Sequence, residues 1–268
     1  MDTVKKWVEE MQSSGKNCFS FSEILEQFPT HNAESLKRSL TRLANKHKIC
    51  SVWKGFYVIV PIEYQSKGII PVWNYIDQLM NFLGRDYYIS LLNAAEFYGA
   101  AHQRPMEFTV MTTPPSMRST LKKDTKINFN NKSVILQKYT EQRKTPTSYI
   151  RISTPELTAT DLIQFEKTIG GLNRASTVLY ELAESCNFRK LKVDFFEYTP
   201  IPVIQRLGYL LDETLDFKKQ ADELFVKAKK YGCSFRKTPL KNRKSTIGCP
   251  NNLRWNIIVN EQIEIDEW

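Results

Sequence analysis

Residues His31 to Val60 constrain this chain most, because a strongly amphipathic helix signal is followed at once by two β-rich runs separated by only two residues. Asn32 stands where a helix N-cap belongs, and Leu36, Leu40 and Leu43 recur at i, i+4 and i+7 as one apolar stripe. Ser35, Lys37, Arg38, Thr41, Arg42 and Asn45 fall opposite that stripe or on its flanks. Beyond Lys46-His47-Lys48, the runs Ile49–Trp53 and Phe56–Val60 flank Lys54-Gly55, and the glycine supplies the positive φ of a tight turn. The spacing predicts a helix packed on one face and polar on the other, then an antiparallel hairpin.

Charge is concentrated in this stretch. From His31 to Tyr57 six Lys or Arg meet one acid, a net of +5, whereas residues 1–30 net −2; the whole chain carries +9. Upstream, Val4, Trp7, Val8 and Met11 predict a helix stopped at Gly15. Ser20-Phe21-Ser22-Glu23 then reads as a capping box opening a second helix that turns Phe21, Ile24, Leu25 and Phe28 inward and ends at Pro29. Three helices and a hairpin in this order predict a winged helix-turn-helix over residues 1–62, with its cations facing double-stranded DNA. Lys37, Lys48 and Lys54 are the candidate phosphate contacts, and Ser35, Arg38, Thr41 and Arg42 the candidate base readers, with Asn45 on the same face. His31 is either a phosphate contact or a solvated turn histidine, and Trp53 and Tyr57 are aromatics that either stack on a nucleotide or pack beneath the hairpin.

Residues 63–71, between Pro61 and Pro71 and holding Gly68, read as a linker to a larger mixed α/β domain over 72–268, which makes the chain α+β. Helices are expected over 72–83, 87–98, from Ser153-Thr154-Pro155-Glu156 to the break at Gly170-Gly171, and over 174–186, 193–211 and 216–230. Strands are expected over 108–111, 126–129, 133–139, 148–152, 233–236 and 254–259. Nine Lys or Arg and no acid occupy 227–254. Lys229, Lys230, Arg236, Lys237, Lys241, Arg243 and Lys244 form a candidate surface for nucleic acid or another partner, with a flexible, solvated loop over 238–246 as the equal alternative.

The N-terminal segment does not read as a signal peptide and no apolar run is long enough to span a bilayer, so a cytoplasmic protein without membrane contact is expected. Five scattered cysteines and three histidines lack metal-ligand spacing, which predicts reduced thiols and no metal. No P-loop, G-x-S-x-G, H-E-x-x-H or G-x-G-x-x-G occurs, so no catalytic residue and no cofactor is assigned. The nearest acids to a nuclease set are Asp161 with Glu166-Lys167, and Glu141 with Lys144; Asp161 and Glu166 do not share a helical face.

Four motifs in order resemble the AbiEi family of antitoxins from type IV toxin–antitoxin pairs of bacterial abortive infection. They are the N-terminal helices and hairpin; Tyr88-Ile89-Ser90 with Ala94-Ala95, Tyr98-Gly99, Gln103 and Pro105; Ser153-Thr154-Pro155-Glu156 running to Asp161-Leu162; and Arg206-Leu207-Gly208-Tyr209-Leu210-Leu211. The resemblance implies a DNA-binding autorepressor of its own operon that binds inverted repeats; with no coiled-coil heptad in the sequence, a monomer in solution or a dimer on DNA is expected. Its C-terminal antitoxin domain would counter a nucleotidyltransferase-like toxin by contact or indirectly. A winged-helix-targeted nuclease and a transcriptional regulator without a toxin partner are the alternative readings.

Overall fold

Residues 3–100, 105–146 and 148–265 are described in a computed structural model of the chain. His102 and Gln103, the latter part of the family resemblance, lie outside the described residues. The chain is mixed α+β and divides into two compact units. The first comprises Met1–Tyr88, Met106–Ile135 and Gln142–Arg151; the second comprises Ile89–Pro105, Leu136–Glu141 and Ile152–Trp268.

The first unit begins with α1 (Thr3–Ser13), β1 (Cys18–Ser20), α2 (Phe21–Gln27), α3 (Ala33–Asn45), β2 (Ile49–Trp53) and β3 (Phe56–Ile59). Val4, Val8 and Met11 of α1 meet Ile24 of α2 and the Leu36, Leu40 and Leu43 stripe of α3 in one core, so the expected apolar faces pack together. Leu25, expected inward, is instead 38% exposed, because the short α2 buries fully only Ile24. The capping box forms as read: Ser20 Oγ accepts from Glu23 N at 3.2 Å while Ser20 N donates to Glu23 Oε2 at 2.6 Å. Ser20→Ala should therefore lower stability by about 1 kcal/mol, measured as an earlier midpoint in chemical denaturation, with Ser20→Thr nearly neutral. An unchanged midpoint in the alanine variant would show that α2 needs no cap.

The strands form an antiparallel sheet in the order β1-β3-β2, and Gly55 at φ +77° makes the β2–β3 turn. The hairpin is buttressed by later parts of the same unit. Phe56 packs on Phe82 of α4 (Ile76–Phe82) at 5.2 Å between ring centroids. Trp53 meets Phe129 edge-on at 6.0 Å. Residues 63–71 carry part of a 3-10 turn and bury Ile69 and Ile70.

Several elements differ from their periodicity. The expected helix over 87–98 starts as a strand, β4 (Tyr87–Ile89), because an all-buried aromatic run suits a sheet, and only Leu91–Phe97 is helical (α5). β5 (Glu107–Thr112) and β7 (Thr125–Asn131) pair in parallel, with β6 (Thr120–Lys122) antiparallel beside β7. Residues 133–139 form no strand and end in a 3-10 turn; the strand comes one step later as β8 (Thr140–Lys144), followed by β9 (Tyr149–Ser153).

In the second unit Ile89 pairs in parallel with Ile152. α6 (Pro155–Gln164) is capped by Thr154, carries Pro155 in its first turn, and buries nearly every residue. It is followed by α7 (Leu172–Leu182). The expected helix over 193–211 breaks into α8 (Val193–Tyr198) and α9 (Ile201–Tyr209), since Pro200 and Pro202 lack the N–H groups that would continue it. α10 (Lys218–Lys230) and a small sheet of β10 (Thr238–Pro239), β11 (Asn251–Asn252) and β12 (Ile257–Ile258) complete the unit. No strand forms over 233–236. Trp255, fully buried, lies against Gly208 of α9 and donates from Nε1 to Asp212 Oδ2 at 2.9 Å.

Candidate nucleic-acid interface

On α3 the buried residues are Leu36, Ser39, Leu40 and Leu43, which leaves Ser35, Lys37, Arg38, Thr41, Arg42 and Asn45 exposed. Ser35, Arg38, Arg42 and Asn45 follow one another at intervals of three and four residues, so they share a stripe along the helix. Asn32 caps it, with Oδ1 accepting from Glu34 N at 2.9 Å. Arg42 Nη2 donates to Ser39 Oγ at 3.0 Å, which fixes the guanidinium near the surface of the helix. Thr41 Oγ1 already donates to Lys37 O at 2.9 Å, so its free lone pairs offer an acceptor.

The lysines divide into two kinds. Lys37 is paired with Glu34 at 2.8 Å, and that hydrogen bond raises the pKa of the ammonium. Lys48 is half-buried and bonded to Glu9 at 2.9 Å, which pulls the Glu9 carboxyl below its usual range. Arg38, Arg42, Lys46 and Lys54 are exposed and form no ion pair among the described residues. Lys46, not among the candidate contacts, is the C-cap of α3 and follows Arg42 by four residues on the same stripe. Tyr57 stacks on Phe19 at 5.4 Å and Trp53 meets Phe129, so both aromatics are engaged inside the unit. His31 is exposed, edge-on to Phe28.

The second basic stretch is far from structureless. Asn260 Nδ2 donates to the carbonyls of Lys241 and Lys244 at 2.9 and 3.0 Å, and its Oδ1 accepts from Lys241 N at 2.9 Å. Lys241 pairs with Glu166 at 2.9 Å, Lys244 with Glu261 at 2.8 Å, and Arg254 with Asp212 and Asp222. Residues 238–246, expected as a loop if not a partner surface, are thus held by acids and an amide distant in sequence. Lys229 sits 4.4 Å over the Phe235 ring and Lys230 5.8 Å from that of Tyr231. Arg236, Lys237 and Arg243 are exposed without an ion pair among the described residues.

The acids considered for metal-dependent chemistry are placed otherwise. Asp161 is fully buried and accepts from Ser90 Oγ at 2.7 Å, while Glu166 is bound to Lys241. Among the described residues no three of His, Cys, Asp and Glu are grouped to hold a metal ion. All five cysteines are free thiols; burial pushes that of Cys18 up to about 12 and that of Cys186 well above its ordinary value. No described helix is long and apolar enough to cross a membrane.

No sequence among the curated proteins matches this chain. The crystal structure of the RV2827C protein from Mycobacterium tuberculosis is similar in fold, with a TM-score of 0.67 at 12% identity over 95% of this chain and 90% of that one. The model of the AbiEi antitoxin C-terminal domain matches residues 88–213. That match takes in Tyr88-Ile89-Ser90, the capped α6 with its buried Asp161, and the Arg206–Leu211 motif that receives Trp255. By that match, residues 88–213 carry an AbiEi antitoxin C-terminal domain.

Proposed function

We propose that the chain is a DNA-binding antitoxin that represses its own operon. In this reading residues 1–62 act as a winged helix-turn-helix, α3 enters the major groove, and the β2–β3 hairpin is the wing. Arg38 and Arg42, with Ser35, Thr41 and Asn45, read base edges; Lys54 and Lys46 neutralise phosphates from the wing and the end of α3. Lys37 and Lys48 join them by exchanging Glu34 and Glu9 for phosphate. The observation that carries the reading is the exposed cationic face, with Arg38 and Arg42 free of ion pairs among the described residues, on a helix whose opposite face is packed. The buttressing of Trp53 and Phe56 supports it, since a wing held in place presents Lys54 without an ordering cost on binding. The antitoxin assignment follows from the family match; a nucleotidyltransferase-like toxin is the partner that family implies, countered through the C-terminal domain by contact or indirectly.

Two copies on an inverted repeat would place their α3 helices one helical turn of DNA apart, or a multiple of it. Anisotropy titration on the DNA upstream of the chain's own reading frame tests the proposal. With roughly four phosphates neutralised per copy, affinity should fall about 100-fold between 50 and 200 mM salt, and should exceed that for an unrelated duplex. Equal affinity for both duplexes, or binding indifferent to salt, would remove the DNA-reading role.

A further inference from the structure

The second unit holds a concavity of about 270 Å³ where α6 ends, and neither proposed role uses it. Ile163, Leu172 and Leu240 supply apolar walls, and Arg206, Glu166 and Asn242 the polar ones. Arg206 Nε donates to Pro239 O at 3.0 Å and Nη2 to Asn242 Oδ1 at 2.6 Å, so the guanidinium is fixed in one orientation. A guanidinium has five N–H donors, and these bonds leave both donors on Nη1 and one on Nη2 unused. Arg206 forms no ion pair among the described residues, and burial pulls its pKa below the usual value while Glu166 opposes the shift. Glu166, with its side chain only 12% exposed, already has Oε2 bonded to Lys241. Arg206 and the exposed rim residue Lys167 line the concavity beside one carboxylate, Glu166, which Lys241 already pairs, so the concavity is cationic.

A half-buried planar fork in a cationic hollow suits an oxyanion, because two parallel N–H groups match two oxygens of a carboxylate or phosphate. Glu166 on the same wall favours a molecule with a hydroxyl or amine beside its anionic group, and the volume suits something smaller than a drug-sized ligand. We propose that this hollow binds a small metabolite whose phosphate or carboxylate sits on Arg206 and whose neighbouring hydroxyl or amine donates to Glu166.

Calorimetric titration of the full chain with glycerol 3-phosphate, glycerate and inorganic phosphate tests the proposal. One of the organic probes should bind saturably and more tightly than inorganic phosphate; which one binds tells phosphate from carboxylate. Arg206→Gln should weaken that binding tenfold or more. Arg206 also anchors Pro239 and Asn242, so Lys167→Glu on the exposed rim serves as the second variant and should weaken it severalfold even if Arg206→Gln fails to fold. No saturable binding of any probe by about 1 mM, or affinity unchanged in Lys167→Glu, overturns the assignment.

Discussion

Gly208→Ala should destabilise the second unit by about 3 kcal/mol or more, visible as loss of its cooperative unfolding transition or a large drop in its midpoint. A Cβ at this position would stand 2.1 Å from Trp255 Cζ3 and 2.2 Å from Cη2, well inside any tolerable contact. The ring cannot retreat. Phe225 meets it edge-on at 5.2 Å, Phe235 stacks on it at 5.7 Å, and Asp212 holds its Nε1. Glycine inside a helix ordinarily costs roughly 1 kcal/mol relative to alanine, so here close approach of an indole outweighs helix propensity. Trp255→Ala should cost about 3–5 kcal/mol by cavity formation. Combining the two should cost less than the sum, because the new methyl enters space the indole has left, and a double-mutant cycle reads that coupling directly. Strict additivity would mean that the glycine and the tryptophan do not meet.

Arg38→Ala with Arg42→Ala should lower affinity for the upstream DNA by at least about 30-fold, since a good pair of hydrogen bonds to a base edge is worth roughly 1–3 kcal/mol and the double variant removes two. Both side chains are exposed, so the melting temperature should stay close to that of the parent chain. Arg42 bonds only Ser39 within its own helix, so its removal disturbs no distant packing. Discrimination between the operator and an unrelated duplex should fall along with affinity. A double variant that binds both duplexes as the parent does would take α3 out of the recognition surface.

Signals carried by near neighbours in the sequence were readable directly. The Leu36, Leu40 and Leu43 stripe, the Asn32 and Ser20 caps and the Gly55 turn each involve residues within a few positions of one another, where backbone geometry decides which groups meet. The exposed cations of α3 follow from the same repeat. Tyr87–Ile89 misleads because a short apolar aromatic run satisfies a helix and a strand alike, and its pairing partners lie elsewhere in the chain. Residues 193–211 show the opposite failure: the apolar pattern runs through, and two prolines decide where it stops.

Local sequence therefore determined which faces are apolar, where the capped helices α2, α3 and α6 begin and which stretches of the chain are cationic, because those depend on repeat, cap chemistry and composition alone. Only the tertiary structure decided which charges remain available. Lys48 meets Glu9 across 39 positions, Lys241 meets Glu166 across 75, and Arg206 is held instead by the Pro239 carbonyl and the Asn242 amide, more than thirty positions away. Coulomb energy depends on distance in space, and the folded chain sets that distance.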